Sequence, residues 1–511
     1  MAKQIELTGR PMRVSLGVII AMLASLSVGQ APQEANDSEA FRDGVDAYIY
    51  GYPLMMIGLT ERVATTVGGP VLNSGRAPIN QLIEEDKLPN GSYTDVVLPS
   101  TSTLYVSTFL SLKAEPMVLH IPFINRFYLM QTLDAWTNVS EQSPGTRRHS
   151  TPGDYAFVGP DYTGDPAIPP GVIRIDMPTN TVWIIGRIFT SGTPGDLDYL
   201  KGAVLSNLKL LPLSAFIQGG DYTAPSNLPV DPSIETKTTP LHQVANMDAC
   251  AFFGTLAAML KTNSPLLPQD EQTVERLAKI GIVPGSPFDC SDPSIDPQTK
   301  AALLLATVAG RAAVENLGSA IPPTTTNWFF LTKILGDYKM HYLIRAVVAN
   351  QALGANLPQD AVYGYATSDS NNEVFKIKNK YKLHFNPSGA TTGQLPPVNP
   401  KGFWSVTIYN ANGTLVNRPD LPRNKQYNAI GVGPLGPTIQ NHTACLNPDK
   451  SMDLYFQVNP PAGGIALCNW IPLPKKGNTD STKNDFIVFL RMYWPDAGVL
   501  NGQWIPPAVT Q

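Results

Sequence analysis

Apolar and polar side chains alternate with period two in short runs from about Thr94 to Ser214: "TLYVSTFLSL", "MVLHIPF", "RFYLMQTLDAWTN", "GDYAFVGP", "VIRIDM" and "VWIIGRIFT". Gly, Pro and Asp clusters separate them, so the pattern predicts a block of strands. Around residue 240 the spacing becomes helical in "MDACAFFGTLAAMLKT", "DEQTVERLAKIGI", "TKAALLLATVAGRAAVENLG" and "MHYLIRAVVANQAL". Asp296 and Pro297 supply an N-cap and first-turn pair for the third of these. Strands return from about Tyr363 in "YKLHF", "FWSVTIYN", "LYFQV" and "DFIVFLRMYW". Ahead of all this, "SEAFRDGVDAYIYGYPLMM" sets Phe41, Val45, Tyr48, Ile49 and Tyr52 on one helical stripe, with Gly51 and Pro53 as its expected end.

The order β, α, β predicts a mainly β chain with α: two antiparallel β-sandwich or jelly-roll-like units joined by a helical segment. The expected divisions are a leader at 1–29, an N-terminal β domain with its leading helix at 38–235, a helical segment at 236–355 and a C-terminal β-sandwich at 356–511. With 47 Pro and 41 Gly, frequent turns and short strands fit this picture.

Within the strands one stretch is unusual. Read with period two, "RFYLMQTLDAWTN" puts Phe127, Leu129, Leu133 and Ala135 on one face and Arg126, Tyr128, Thr132, Asp134, Trp136 and Asn138 on the other. Arg187 in "WIIGRIF" and Arg491 in "FLRMYW" likewise share a face with aromatic residues, Trp183 and Phe189 in one case and Phe489 and Tyr493 in the other. A guanidinium is costly to bury without a carboxylate or a ligand anion, so each arginine implies a partner. One reading is a set of structural salt bridges, for example Arg126 with Asp134 or Asp154. The competing reading is a ligand cavity lined by Arg, Tyr, Trp and Asn.

Composition narrows the partners. A net charge of -4 with 15% charged residues leaves no basic footprint for nucleic acid, so small-molecule substrates or further copies of the chain are expected. Arg10 and Arg13 precede the apolar run "LGVIIAMLASLSV", which is too short to span a bilayer comfortably, and Ser27-Val28-Gly29 suits a signal peptidase. The expectation is a secreted or secretory-lumen protein with no stable membrane span after leader removal. Four cysteines, Cys250, Cys290, Cys445 and Cys468, then suggest two disulfides with three possible connectivities. Proximity favours Cys250 with Cys290 and Cys445 with Cys468, and four buried thiols are the alternative. Sequons at Asn36, Asn90, Asn138, Asn412 and Asn441 would accept glycans there.

Other chemistry is thin. "GVGPLG" at 431–436 fits a dinucleotide-binding pattern, but Pro434 and Pro437 deny it a helix, and it reads as a loop. "SNLK" at 206–209 lacks the companion motifs of its serine-hydrolase class. The histidines His120, His149, His242, His341, His384 and His442 show no metal-ligand spacing, so neither a metal nor a cofactor is expected.

"DAYIYGYPL", "APINQL", "RFYLMQTLDAWTN", "GDYAFVGP", "LGANLPQDAVY", "GFWSVTIYN", "CNWIPLP" and "FLRMYWP" together resemble the paired domain-of-unknown-function family, twelve fifty-four at the N-terminus and twelve fourteen at the C-terminus. The resemblance covers nearly the whole mature chain and implies two β-sandwich or barrel-like units joined by helices. Two departures stand out: Ser100-Thr101-Ser102-Thr103-Leu104-Tyr105 where the family usually has N-x-D-T-L-Y, and Tyr338-Lys339-Met340-His341-Tyr342 where it usually has Y-G-T-D-Y. If the missing Asn and Asp carry the chemistry of bacterial members, this chain has lost or changed it. A secreted fungal branch associated with this scaffold is similar to the hetero-Diels-Alderases of tropolone sesquiterpenoid pathways. That likeness implies coupling of a tropolone quinone methide with a humulene-type sesquiterpene. In that reading Arg126 and Arg491 bind the tropolone oxygens, and Tyr128 and Asp134 assist proton movement. Trp136, Asn138, Arg187, Trp404, Tyr409, Trp470 and Tyr493 line the substrate site. The alternatives are a secreted hydrolase using Ser102 with His341 or His149, and a non-catalytic secreted ligand-binding protein.

Overall fold

The computed structural model describes residues 38–91, 98–220, 222–289, 292–293, 295–320, 322–389, 392–422, 425–433, 438–439 and 442–511. The expected leader, Asn36, Cys290 and Asn441 lie outside them.

Helix α1 (Glu39–Thr65) opens the described chain, capped by Ser38, whose hydroxyl accepts from Phe41 N at 3.1 Å. Gly51 and Pro53 do not end it, contrary to the sequence expectation. Pro53 removes only one backbone donor, and the helix is held on its flanks by neighbouring helices. Gly51 is needed for that contact, since a Cβ there would lie 2.5 Å from Leu256 Cδ2. Strands β1 (Ile83–Glu84), β2 (Thr103–Ser111), β3 (Met117–Ile121), β4 (Tyr128–Asp134), β5 (Gly153–Val158), β6 (Ile173–Asp176), β7 (Thr181–Phe189) and β8 (Lys209–Pro212) follow. They form two four-stranded sheets, β1-β2-β7-β4 and β6-β5-β3-β8, packed around Leu104, Val106, Met130, Ile184 and Phe157.

Helices α2 (Ala249–Leu260), α3 (Pro268–Lys279), α4 (Pro297–Ala320) and α5 (Tyr342–Gln351) make up the helical segment. Asp296 accepts from Gln298 N and Thr299 N at 2.9 Å, as the Asp-Pro pair predicts. These helices surround α1, so the leading helix belongs to the helical core and not to the N-terminal sandwich.

Strands β9 (Phe329–Leu331), β10 (Ala361–Ala366), β11 (Tyr381–Phe385), β12 (Val398–Asn410), β13 (Ala429–Val432), β14 (Thr438–Ile439), β15 (His442–Thr443), β16 (Met452–Gln457), β17 (Trp470–Pro472), β18 (Phe486–Pro495) and β19 (Val509–Thr510) complete the chain. A five-stranded sheet, β13-β12-β18-β10-β9, packs on a four-stranded one, β17-β16-β11-β19. The fold is therefore mainly β with α, in two sandwiches and a helical segment. Gly431, placed in a loop by the sequence reading, lies in β13, while residues 434–437 are outside the described set. Cys445 and Cys468 are joined, with Cα atoms 6.0 Å apart, and Cys250 is also disulfide-bonded.

Candidate functional site between the two sandwiches

Strand alternation decides what meets at the junction. In β7, Val182, Ile184 and Ile188 enter the N-terminal core, while Ile185, Arg187 and Phe189 face the other way. In β18, Val488, Leu490 and Met492 enter the C-terminal core, while Phe489, Arg491 and Tyr493 face outward. The two outward faces pack on each other. One part of this layer is aromatic: the Phe403 ring lies 4.5 Å from Phe189, 5.4 Å from Phe127 and 4.2 Å from Tyr493.

The remainder is polar. Arg187 stands directly across from Tyr105 in the β2–β7 ladder, with its guanidinium carbon 5.8 Å from the ring. It donates to Gln131 Oε1, to Gly354 O at 3.2 Å and to Asn356 Oδ1 at 3.4 Å. Arg491 stands across from Tyr363 on one side and Ser405 on the other. It donates to Leu98 O at 2.7 Å and Thr407 Oγ1 at 3.4 Å, and packs over Phe489 at 4.3 Å and Tyr409 at 5.5 Å. Asn356 Nδ2 donates to Tyr363 Oη, and Tyr409 Oη donates to Pro99 O at 2.6 Å.

Both guanidiniums are buried, 8% and 4% exposed, and every hydrogen bond described for them goes to a neutral acceptor. Burial pushes the Tyr363 and Tyr493 phenols up, and the charges of Arg187 and Arg491 oppose that rise at both. Burial likewise pushes Tyr409 up to about 12, against the pull of Arg491. Tyr105 and Tyr363 each keep some accessible surface. Both phenols lie in the seam between the two outward faces, the candidate cleft. At its edge Ser102 Oγ lies 3.3 Å from Ser100 Oγ and 3.4 Å from Ser405 Oγ. The buried hydroxyls of Thr101 and Thr103 have no partner among the described residues.

Each sandwich thus contributes one cationic face, and each coincides with a stretch shared with known proteins. Residues 79–204 match a protein of unknown function, DUF1254, and residues 360–497 match a protein of unknown function, DUF1214. The chain belongs to the DUF1254–DUF1214 family. Among solved structures it is similar to the VPA0106 protein from Vibrio parahaemolyticus, with a TM-score of 0.61 at 20% identity over 92% of this chain and 99% of that one. An uncharacterised protein from Burkholderia cenocepacia matches with a TM-score of 0.41 at 11% identity over 97% and 93%. No curated protein matches. The first likeness shows a shared fold.

Of the residues singled out in the sequence, the cleft brings together Arg187 from the DUF1254 unit and Tyr409, Arg491 and Tyr493 from the DUF1214 unit. The rest of the set lies elsewhere. Arg126 precedes β4 and forms an ion pair with Asp196, with neither Asp134 nor Asp154 as its partner. Asp154 is engaged by His120 at 2.7 Å. Tyr128 belongs to the DUF1254 core, its hydroxyl donating to Ser150 O at 3.4 Å. Asp134 is a turn cap: its carboxylate accepts from Trp136 N at 2.8 Å, Asn138 N at 2.9 Å and Asn138 Nδ2 at 3.0 Å. Burial pushes it up to about 6 against those donors.

Trp136 enters the helical core, donates to Ser264 O at 3.1 Å and packs 5.1 Å from the guanidinium of Arg345. Trp404 faces the DUF1214 core, because it occupies the opposite parity of β12 from Ser405. Trp470 is fully buried and donates to Gln457 O at 2.8 Å. The amide nitrogen of Asn138 is occupied by Asp134, so a glycan there would require that bond to break. Asn90 and Asn412 are exposed.

Sequence reading missed Tyr105, Gln131, Asn356, Tyr363 and Ser405. Three of them stand directly opposite an arginine in a ladder, and register across strands 82 to 128 positions apart in sequence is not visible in a single chain. The available signal was parity: Tyr363 and Tyr365 alternate with Val362 and Gly364 in "AVYGYA".

Proposed function

We propose that the inter-sandwich cleft is the active site of a cofactor-independent enzyme of secondary metabolism that grips a large, mostly apolar molecule by acidic oxygens. The specific reaction in this reading is hetero-Diels-Alder coupling of a tropolone quinone methide with a humulene-type sesquiterpene. The observation that carries it is the pair of buried guanidiniums, Arg187 and Arg491, that act on the same phenols and, among the described residues, donate only to neutral groups. A buried cation pair of this kind favours an anionic guest.

The chemistry needs little more. Arg187 and Arg491 would hold the two oxygens of a hydroxymethyl tropolone and stabilise the charge as its ring hydroxyl gives up a proton. Tyr363 or Tyr493, kept protonated by burial, would donate to the departing hydroxyl, which leaves as water, and the phenolate so formed would take the proton of the tropolone ring hydroxyl. The resulting quinone methide adds to an alkene with no further proton transfer, so orientation and exclusion of water are the remaining tasks. Phe489, beside Tyr363, offers an apolar wall for the terpene, and the packed rings of Phe127, Phe189 and Phe403 back the layer. Passage through the secretory pathway belongs to the same reading, supported by the leader-like N-terminus and the Cys445–Cys468 bridge.

Incubation of the protein with a hydroxymethyl tropolone and humulene tests the reading. Adduct formed faster and with more stereoselectivity than in buffer supports it, and background rate and selectivity oppose it. A non-catalytic ligand-binding role is the second reading. It is favoured over hydrolysis because the hydroxyl partners described for Ser102 are Ser100 and Ser405, with no imidazole or carboxylate to activate it among the described residues.

A further inference from the structure

A second cavity, of about 400 Å3, lies where the C-terminal half of α1 meets α2 and the ends of β2 and β7. It shares no residue with the inter-sandwich cleft. Its volume falls within the range of small-molecule sites. Leu54, Ile57 and Met259 give it an apolar wall. Its charged lining residues are Glu61, Arg62 and Lys113.

Their arrangement separates the charges. Glu61 is half-buried, and burial pushes its carboxyl up to about 7 with only Arg62 opposing. Arg62 and Lys113 are exposed. None of the three forms an ion pair among the described residues. Asn263 also lines the cavity and is 5% exposed. Its Nδ2 donates to Thr262 Oγ1 at 3.2 Å and Met259 O at 3.4 Å, which leaves its carbonyl oxygen buried without a donor among the described residues. An unsatisfied buried acceptor is costly, and a ligand donor would relieve it.

We infer that this cavity binds a zwitterion of the amino-acid class with an apolar side chain. Its ammonium group meets Glu61 and Asn263, its carboxylate meets Lys113 and Arg62, and its side chain lies against Leu54, Ile57 and Met259. A plain amine would satisfy the carboxylate but meet the two cations at the mouth without compensation. A plain fatty acid would leave Asn263 without a donor and face Glu61. The zwitterion answers both ends.

Calorimetric titration of the full chain with leucine, methionine and phenylalanine tests this, with isoamylamine and 4-methylpentanoate as the two half-ligands. At least one amino acid is expected to bind about tenfold more tightly than either half-ligand. Glu61→Gln is expected to weaken that binding about tenfold, and Lys113→Gln, on the surface, to weaken it severalfold while the fold is unaffected. Affinity should rise between pH 6 and 8 as Glu61 ionises beside Arg62, at about the pH its burial sets. Absence of binding by all three amino acids, isoamylamine binding as well as they do, or unchanged binding in both variants would each overturn the inference.

Discussion

Arg187 and Arg491 approach the same phenol, Tyr363, from different domains: Arg491 is its direct partner in the β10–β18 ladder, and Arg187, across the junction, is the cation that acts on it most strongly. Neither arginine is paired with a carboxylate of its own sandwich among the described residues. Each projects from the face its strand turns away from its core, and only the meeting of the two faces encloses them.

Replacing either cation separates function from stability. In Arg187→Met and Arg491→Met, turnover or ligand affinity should fall about 100-fold or more, as for loss of an oxyanion donor. Stability should change by no more than about 1 to 2 kcal/mol in either direction, because removing a buried, uncompensated charge offsets the packing and hydrogen bonds lost. Steady-state kinetics alongside urea denaturation checks both. A large loss of stability matching the loss of activity would mean the arginines serve the fold.

Tyr363→Phe removes one hydroxyl and little else. It should lower kcat about 10- to 100-fold with a smaller change in KM, if the phenol acts on the leaving group. Equal activity would assign that role to Tyr493.

Arg126→Met gives the opposite result. Its half-buried partner Asp196 would lose its cation and keep only the donors Thr190 Oγ1 and Ser191 N, so a stability loss of about 1.5 to 3 kcal/mol is expected. Activity per folded molecule should be unchanged. Denaturant midpoints and activity of the soluble fraction measure the two separately.

The second cavity carries a pH signature. Glu61 has a folded-state value of about 7, raised from 4.5, so the folded state binds its proton more tightly than the unfolded state. That contribution to stability is fully present below about pH 4.5 and is lost as pH rises through 7. Glu61→Gln should therefore flatten stability against pH across this interval and leave the variant more stable than the parent above pH 7, by up to about 3 kcal/mol. An identical pH profile for the two proteins would contradict the assignment.

Much of the architecture was legible because it depends on local periodicity. The β, α, β order, the Asp296-Pro297 helix start and the alternation in "FLRMYW" all follow from spacing along one strand or helix. Pro53 misled because its cost is local while the helix is fixed by packing: Gly44 and Gly51 let α4 and α2 approach α1 closely. The site was half legible. Arg187 and Arg491 were visible as charges among aromatics, but which face of a strand turns inward depends on the second sheet. In "RFYLMQTLDAWTN" the apparently apolar face, with Phe127, Leu129 and Gln131, looks toward the cleft. The costly polar face looks away, into the DUF1254 core and the turn that Asp134 caps. Polar groups within a motif satisfied one another, a possibility that composition alone does not separate from ligand binding.

The most direct test is titration of tropolone, followed by its ultraviolet spectrum, against the parent chain and the Arg187→Met/Arg491→Met double variant. Two buried guanidiniums facing one guest should hold it as the anion, so the parent is expected to lower the apparent pKa of tropolone and the double variant to leave it at its value in buffer. A parent chain that neither binds tropolone nor shifts its ionisation, or a double variant that does so equally well, would contradict the placement of the site between the two sandwiches.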